Sequence, residues 1–156
     1  MASGEPTEVV AWANNLLESE RVGRLGLLDD EGGPRVLPVT FAVAEGRIWS
    51  AIDQKPKRAG EPARLRFLRR DPRAALTVDW YSDDWEELAW VQVLGTVRIL
   101  ELSEGEAGLA ALSAKYEQYR EVTPPGPLVS LEPERYLWWR AADPAGRGGH
   151  SGGRGG

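Results

Sequence analysis

One segment of this chain, residues 87–100, alternates so regularly that it constrains the fold more than any other. From residue 89 to residue 99 every second position is apolar or glycine, and the positions between them mix apolar and polar side chains. Successive side chains of a β-strand point to opposite faces, so the pattern predicts a long strand with one buried face. The mixed outer face is typical of a barrel wall that meets another subunit, so we expect a homodimer.

The other segments predict short antiparallel strands with helices inserted between them. Turn-forming residues separate the apolar runs, and the PPGP sequence at residues 124–127 ends the last predicted helix. The predicted helices cover residues 6–20, 61–70 and 103–120, and the predicted strands cover residues 22–28, 35–44, 47–53, 73–81, 87–100, 128–131 and 136–140. This order favours a mainly β (α+β) fold built on a small antiparallel β-barrel.

Composition limits the chemistry that the chain can perform. We expect residues 1–142 to form one domain and residues 143–156, rich in glycine and arginine, to be a disordered tail. The 156-residue chain has no cysteine, and its one histidine, His150, lies in that tail. The folded domain therefore lacks thiolate metal sites and histidine-based triads, so its reactivity must come from carboxylates, tyrosines or a bound cofactor. With no apolar run that could span a bilayer and no secretory signal, the sequence predicts a soluble, cytoplasmic protein without a membrane partner.

Positive charge is concentrated directly after one of the predicted strands. The chain has a net charge of −5, yet residues 55–73 contain eight lysines and arginines against two acids. Two of the three lysines, Lys55 and Lys57, share one turn with Arg58. Charge-assisted hydrogen bonds from such side chains suit a phosphate. A solvated turn could have the same composition, and the arginines later in the window fit an exposed helix face.

Beside this turn, two predicted strands leave room for a flat ring to lie against backbone. Pro38 cannot donate a ladder hydrogen bond, so it is typical of an edge strand or an interruption. Ser50 and Ala51, near the end of the next long strand, have small side chains. The amides of Val39, Thr40 or Ser50 could therefore bond a planar ligand.

Two further features carry less specific signals. Residues 79–87 (DWYSDDWEE) form an acidic, aromatic loop that fits either a solvated turn or the rim of a pocket, and nothing fixes its carboxylates as a catalytic pair. Trp138 and Trp139 point to opposite faces of the last predicted strand. One of them is expected in the core and the other against a ligand or a partner subunit.

Residues 35–42 (RVLPVTFA), 51–58 (AIDQKPKR) and 79–85 (DWYSDDW) stand in an order that resembles a known family. They are similar to the pyridoxamine 5'-phosphate oxidase-like split β-barrel proteins, the flavin/deazaflavin oxidoreductases, and specifically to the branch that uses coenzyme F420. Residues 114–120 (AKYEQYR) resemble a helix end of the same subgroup. The resemblance extends over residues 9–140.

The resemblance implies an antiparallel split β-barrel with peripheral helices, of the FMN-binding split barrel type, and a homodimer with two cofactor sites at the subunit interface. It implies that the cationic turn holds the cofactor's phosphate, that residues 37–40 and 50–53 flank its ring, and that the end of the last strand approaches from the other subunit. No catalytic side chain and no metal site are predicted. The predicted cofactor-binding residues are Lys55, Lys57, Arg58, Pro38, Val39, Thr40, Ser50, Ala51, Ile52, Asp53 and Trp138.

The leading interpretation is an F420-dependent oxidoreductase that transfers a hydride between the deazaflavin and a small organic substrate. Hydride transfer needs positioning and exclusion of water more than a protein acid or base, and the anionic cofactor matches the cationic window. An FMN-dependent oxidoreductase of the same fold and a non-catalytic barrel that binds flavin or haem are the alternatives. Nucleic-acid binding is disfavoured because the chain is acidic and its aromatics are not interleaved with its cations. The preference for arginine over lysine is typical of a GC-rich genome, and organisms that use F420 are commonly actinobacteria.

Overall fold

The computed structural model describes residues 9–52, 60–142 and 149–151, the last three by their backbone alone. The helices are α1 (Ala11–Ser19), α2 (Ala63–Arg70), α3 (Glu106–Lys115) and α4 (Glu117–Glu121), with short 3-10 helices at Trp85–Glu87 and Leu102–Glu104. The strands are β1 (Gly23–Leu28), β2 (Pro34–Val39), β3 (Ala42–Ala44), β4 (Arg47–Ala51), β5 (Arg73–Trp80), β6 (Ala89–Leu100), β7 (Leu128–Arg140) and β8 (Gly149–Ser151). Among the described residues, no helix has the length and apolar character needed to cross a bilayer.

The described strands form one antiparallel sheet in the order β2, β1, β5, β6, β7, β4, β3, with β8 paired to β7. Strands β2 and β3 lie at the two ends of this order, although only Thr40 and Phe41 separate them in the chain. The sheet must therefore curl until its ends approach each other, without closing into a continuous ladder. The mainly β, split-barrel fold predicted from the sequence is confirmed.

The face assignment of the long strand β6 is also confirmed. Val91 and Val93 are fully buried, and Val97 is buried with them. Trp90 and Arg98, on the opposite face, are exposed. The regular alternation along β6 therefore identifies the inner wall of the barrel.

The predicted strand 35–44 is two strands, β2 and β3, and the prediction of a continuous strand was wrong. The interruption depends on a distant side chain. Both backbone polar groups of Phe41 lie within hydrogen-bonding distance of the Tyr116 hydroxyl, at 3.0 Å from the amide and 2.9 Å from the carbonyl. Since this hydroxyl can satisfy backbone groups that a ladder would otherwise satisfy, the chain leaves the sheet here and buries the Phe41 ring completely.

The two strands predicted at residues 128–131 and 136–140 form one long strand, β7. Pro133 lies between them, but the ladder with β6 shifts register between Leu94 and Gly95 and accommodates it as an irregularity. A β-carbon added to Gly95 would lie 1.9 Å from the Glu132 carbonyl oxygen, so the two backbones can approach this closely only at glycine.

The helix predicted over residues 103–120 is divided at Tyr116, which has extended backbone angles between α3 and α4. This break turns Tyr116 and Tyr119 toward the sheet, and their rings meet edge to face with centroids 5.6 Å apart. Helix α3 lies close to the sheet because Gly108 has no side chain where the Trp49 ring packs.

The core has two parts. The larger lies inside the barrel and is closed by α1 and α2, and the smaller lies between β4 and the α3–α4 pair. Within the tail predicted to be disordered, Gly149–Ser151 form β8, and residues 143–148 and 152–156 lie outside the described residues. The first helix was predicted to begin at residue 6, and α1 begins at Ala11.

Candidate functional site

The two segments predicted to flank a cofactor ring meet at Thr40, directly after β2. Ser50, in β4, donates a hydrogen bond from its hydroxyl to the Thr40 carbonyl at 2.7 Å. Thr40 is partly exposed and Pro38 is exposed, whereas Val39, Ser50, Ala51 and Ile52 are buried. As predicted for a strand containing Pro38, β2 is an edge strand that pairs only with β1 among the described residues.

Tyrosines from the α3–α4 junction hold this segment in place. The Tyr119 hydroxyl lies 2.6 Å from the Thr40 hydroxyl, while Tyr116 bonds Phe41. Tyr116 is also within donating distance of the Arg21 carbonyl, at 2.8 Å, so it joins the start of β1 to the same point. Thr40 is thus fixed through its carbonyl by Ser50 and through its side chain by Tyr119. This rigidity is what a surface needs if it is to position a planar ligand.

Lys115 lies under this segment. Its ammonium nitrogen is 3.8 Å from the centre of the Phe41 ring, is shielded from solvent, and has no hydrogen-bond partner among the described residues. Burial, and secondly the charge of Arg21, lower the pKa of Lys115 to about 8. Burial likewise raises the pKa of the neighbouring Tyr116, so its phenol stays protonated and can donate.

The arginines of α2 and the start of β5 contact groups of their own chain. Four of them bond acids or a backbone carbonyl outside the predicted site, whereas Arg64 donates to the carbonyl of Ala51 at 3.1 Å and so brings positive charge to the end of β4. The other contacts are Arg66 to Asp30 at 2.9 Å, Arg69 to Glu61, Arg70 to the Asp29 carbonyl at 3.0 Å and Arg73 to Asp71 at 2.7 Å. These four fit the exposed helix face and strand start that the sequence indicates.

Four predicted site residues, Asp53, Lys55, Lys57 and Arg58, lie outside the described residues. The described chain reaches Ile52, directly before them, and resumes at Gly60. Their role as the phosphate-binding turn therefore stays a prediction from the sequence.

Trp138 is the inward member of the tryptophan pair. It is 9 % exposed, lies opposite Val91 on β6 and belongs to the barrel core. Trp139 lies opposite Trp90 on the outer face. Trp138 sits near the end of β7, whereas Ala51 pairs with Leu128 at its start, so the two predicted site residues are at opposite ends of that strand.

A search against protein families matches residues 11–140 to the family described as Pyridoxamine 5'-phosphate oxidase. The chain belongs to this family. The match covers most of the chain and includes every strand of the barrel from β1 to β7. It confirms the family part of the resemblance seen in the sequence.

Several solved structures share the fold of this chain. The conserved hypothetical protein Rv2991 from Mycobacterium tuberculosis is 21 % identical, with 86 % of each chain covered and a TM-score of 0.70. A haem-binding protein from Mycobacterium smegmatis is 23 % identical, with 89 % of this chain and 55 % of that one covered and a TM-score of 0.71. An FAD-binding protein from Mesorhizobium loti is 19 % identical, with 84 % and 94 % covered and a TM-score of 0.63. At these identities the likeness establishes the fold, and a search of curated proteins gave no match.

Sequence reasoning missed the residues that hold the site together. Tyr116 and Tyr119 are visible in the AKYEQYR segment, but a continuous helix was predicted there, and only the break at Tyr116 turns both rings toward Thr40 and Phe41. Arg64 was interpreted as part of an exposed face because its contact with Ala51 depends on how α2 packs. The three-residue spacing of the tyrosines is the one signal that could have indicated a shared direction.

Proposed function

We propose that this chain is an F420-dependent oxidoreductase, with the cofactor's ring against Thr40 and the end of β4 and its phosphate on Lys55, Lys57 and Arg58. The observation that carries the proposal is the fixed Thr40–Ser50 contact at the end of a strand from which the chain continues directly into the cationic turn. Family membership and the Arg64 guanidinium on the Ala51 carbonyl support it.

The residues near this site fit an anionic, planar cofactor. Thr40 is partly exposed beside the buried small side chains of Ser50 and Ala51, and Arg64 adds a cation where the phosphate-bearing part of the ligand would lie. Bound F420 would supply the hydride chemistry itself. The chain would orient the ring, exclude water and neutralise the phosphate, which agrees with a chain that has no cysteine and whose one histidine, His150, lies in the short strand β8. We further propose that the functional unit is a homodimer with two cofactor sites at its interface.

A cofactor titration tests the proposal directly. We expect reduced or oxidised F420 to bind the purified chain at micromolar concentration, followed by its fluorescence, and FMN to bind more weakly. Absence of F420 binding at micromolar concentration would refute the proposal. A yellow protein with an isoalloxazine spectrum would instead identify an FMN enzyme, and tight binding without reduction of any acceptor would identify a carrier.

The double substitution Lys55→Ala with Lys57→Ala should weaken F420 binding by several-fold to a few hundred-fold while the fold survives. Charged hydrogen bonds contribute about 1.5–3 kcal/mol each, less where solvent reaches them. Arg24→Ala with Arg66→Ala is a matched control, because it removes two cations held in exposed salt bridges elsewhere. Equal affinity of the lysine variant and the control would mean that the phosphate is held by other residues.

A further inference from the structure

A cavity of about 410 Å³ opens at the end of the barrel that α1 covers. Trp80 on β5 and Arg140 on β7 each pair with Ala89 on β6, and the three residues form one wall of this cavity. Ala89 has the same parity along β6 as the buried Val91, so this wall is the last inward-facing row of the barrel. Trp12 and Leu16 from α1 line the cavity as well. Its volume falls in the range of small-molecule sites, roughly 300–1,000 Å³.

Arg140 is the unusual residue of this cavity. Its guanidinium carbon lies 5.1 Å from the centre of the Trp12 ring, and its Nε is shielded from solvent without a hydrogen-bond partner. Within the described ranges, 9–52 and 60–142, its side chain forms no salt bridge and no hydrogen bond. A guanidinium carries five donors and is costly to leave half-buried without acceptors. The described residues thus give this guanidinium no acceptor, and an anion that enters the cavity would provide one.

We propose that this cavity binds a small planar aromatic monocarboxylate, with its carboxylate on Arg140 and its ring against Trp12 and Trp80. The planar fork of a guanidinium matches the two oxygens of a carboxylate, and aromatic side chains favour a flat apolar body. Glu86 and Glu87 also line the cavity and are exposed. Their charges, partly screened by solvent, oppose any anion and oppose a dianion more strongly, so the proposal is limited to a ligand with a single carboxylate held directly by Arg140.

This site is separate from the proposed cofactor site of the same chain. Ala51 pairs with the first residue of β7, Leu128, whereas Arg140 is the last residue of that strand. The proposal consequently stands without F420 binding, and its test measures ligand affinity in the absence of any cofactor.

Isothermal titration calorimetry on the full chain, with 2-naphthoate as the probe, tests the proposal. We expect saturable binding at one site per chain, with 2-naphthamide and naphthalene-2,3-dicarboxylate each binding at least tenfold more weakly. Arg140→Gln should reduce the affinity for 2-naphthoate at least tenfold, and Arg98→Gln, an exposed arginine on the outer face of β6, should leave it unchanged. Lack of saturable binding, or equal binding of the acid and the amide, would overturn the proposal.

A second variant keeps the test decisive if Arg140→Gln does not fold. Ser19 lies on the exposed surface of α1 at the rim of the cavity, so Ser19→Trp fills space without entering the core. We expect it to abolish 2-naphthoate binding while circular dichroism stays unchanged. Retained binding would place the ligand elsewhere and contradict the assignment.

The double substitution Glu86→Gln with Glu87→Gln should raise the affinity for the dicarboxylate more than for 2-naphthoate, and an equal effect on both would refute the role given to these carboxylates.

Discussion

The amine of Lys115 is buried against an aromatic ring, and a second positive charge lies nearby. Its nitrogen lies over Phe41, and its own carbonyl accepts a hydrogen bond from Arg21, whose charge also disfavours a second cation. Glu20 and Glu18 favour the charged form of Lys115, but their effect is smaller than that of burial. The pKa of Lys115 in the folded chain is about 8, below the ordinary value of 10.5. As the pH rises, the folded chain therefore releases this proton at a lower pH than the unfolded chain does.

The stability contributed by the neutral amine is therefore fully present above pH 10.5 and is lost as the pH falls through about 8. Lys115→Met should have a higher free energy of unfolding than the parent chain at pH 7.5. The difference should be about 1 kcal/mol smaller at pH 9.5, where the parent's amine is largely neutral; this figure is reduced because solvent reaches part of the side chain. Urea denaturation at the two pH values measures the difference. Lys115→Arg is the control, because arginine stays charged throughout this range and should show no recovery. An advantage of Lys115→Met that did not change with pH would contradict the lowered pKa.

At this scale the sequence could indicate residue types but not their partners. Thr40 and Ser50 lie in segments that do meet, because strand patterns are local signals, whereas Pro38 lies in β2, which pairs with β1 and not with β4. The hydroxyl that interrupts the strand at Phe41 comes from Tyr116, 75 positions later in the chain, and no local pattern reports such a contact. No local pattern indicated the role proposed for Arg140 either, because its lack of an acceptor among the described residues depends on which side chains the fold brings near it.

Among the elements, the β6–β7 pair shows why a strand can be misjudged from its sequence. Residues 128–131 and 136–140 were predicted as two separate strands, and Pro133 lies in the gap between them. The register shift beside Gly95 absorbs the proline, and the two backbones pass so closely there that a β-carbon would lie 1.9 Å from the Glu132 carbonyl oxygen. The alternation of β6, in contrast, is a direct consequence of the pleat and was predictable residue by residue.

Gly95→Ala should therefore destabilise the barrel by roughly 2–4 kcal/mol, because backbone atoms of β7 rather than a flexible side chain must move. Gly26→Ala in β1 is the matched control. Its added β-carbon would find only the Ala75 carbonyl oxygen, at an ordinary 3.7 Å, so we expect a change of less than about 1 kcal/mol. Thermal unfolding of both variants provides the comparison. Similar melting temperatures for the two would show that the bulge relaxes easily and that Gly95 is not required.

For the whole molecule, the outer face of β6 and β7 links the fold to the proposed function. Trp90 is 37 % exposed and lies opposite Trp139 on this face, which leaves two large aromatics at the surface of one chain. Aromatic residues are enriched where subunits meet, and the proposed cofactor site depends on a second subunit to cover the ring. The proposal therefore requires a dimer, and we expect the partner subunit to cover this pair of aromatics.

We expect light scattering at micromolar concentration to give about twice the chain mass of 17.2 kDa. Trp90→Glu should shift the equilibrium toward monomer, because it places a charge where the partner's apolar surface would lie, and should weaken F420 binding in parallel. Val36→Glu is the control: Val36 is 67 % exposed on the edge strand β2, so the same change of chemistry falls on another surface. A monomeric parent chain would contradict the dimer outright. If Trp90→Glu remained dimeric with full cofactor affinity, the interface would not include β6. The partner subunit would then have to cover the cofactor from the surface around Thr40.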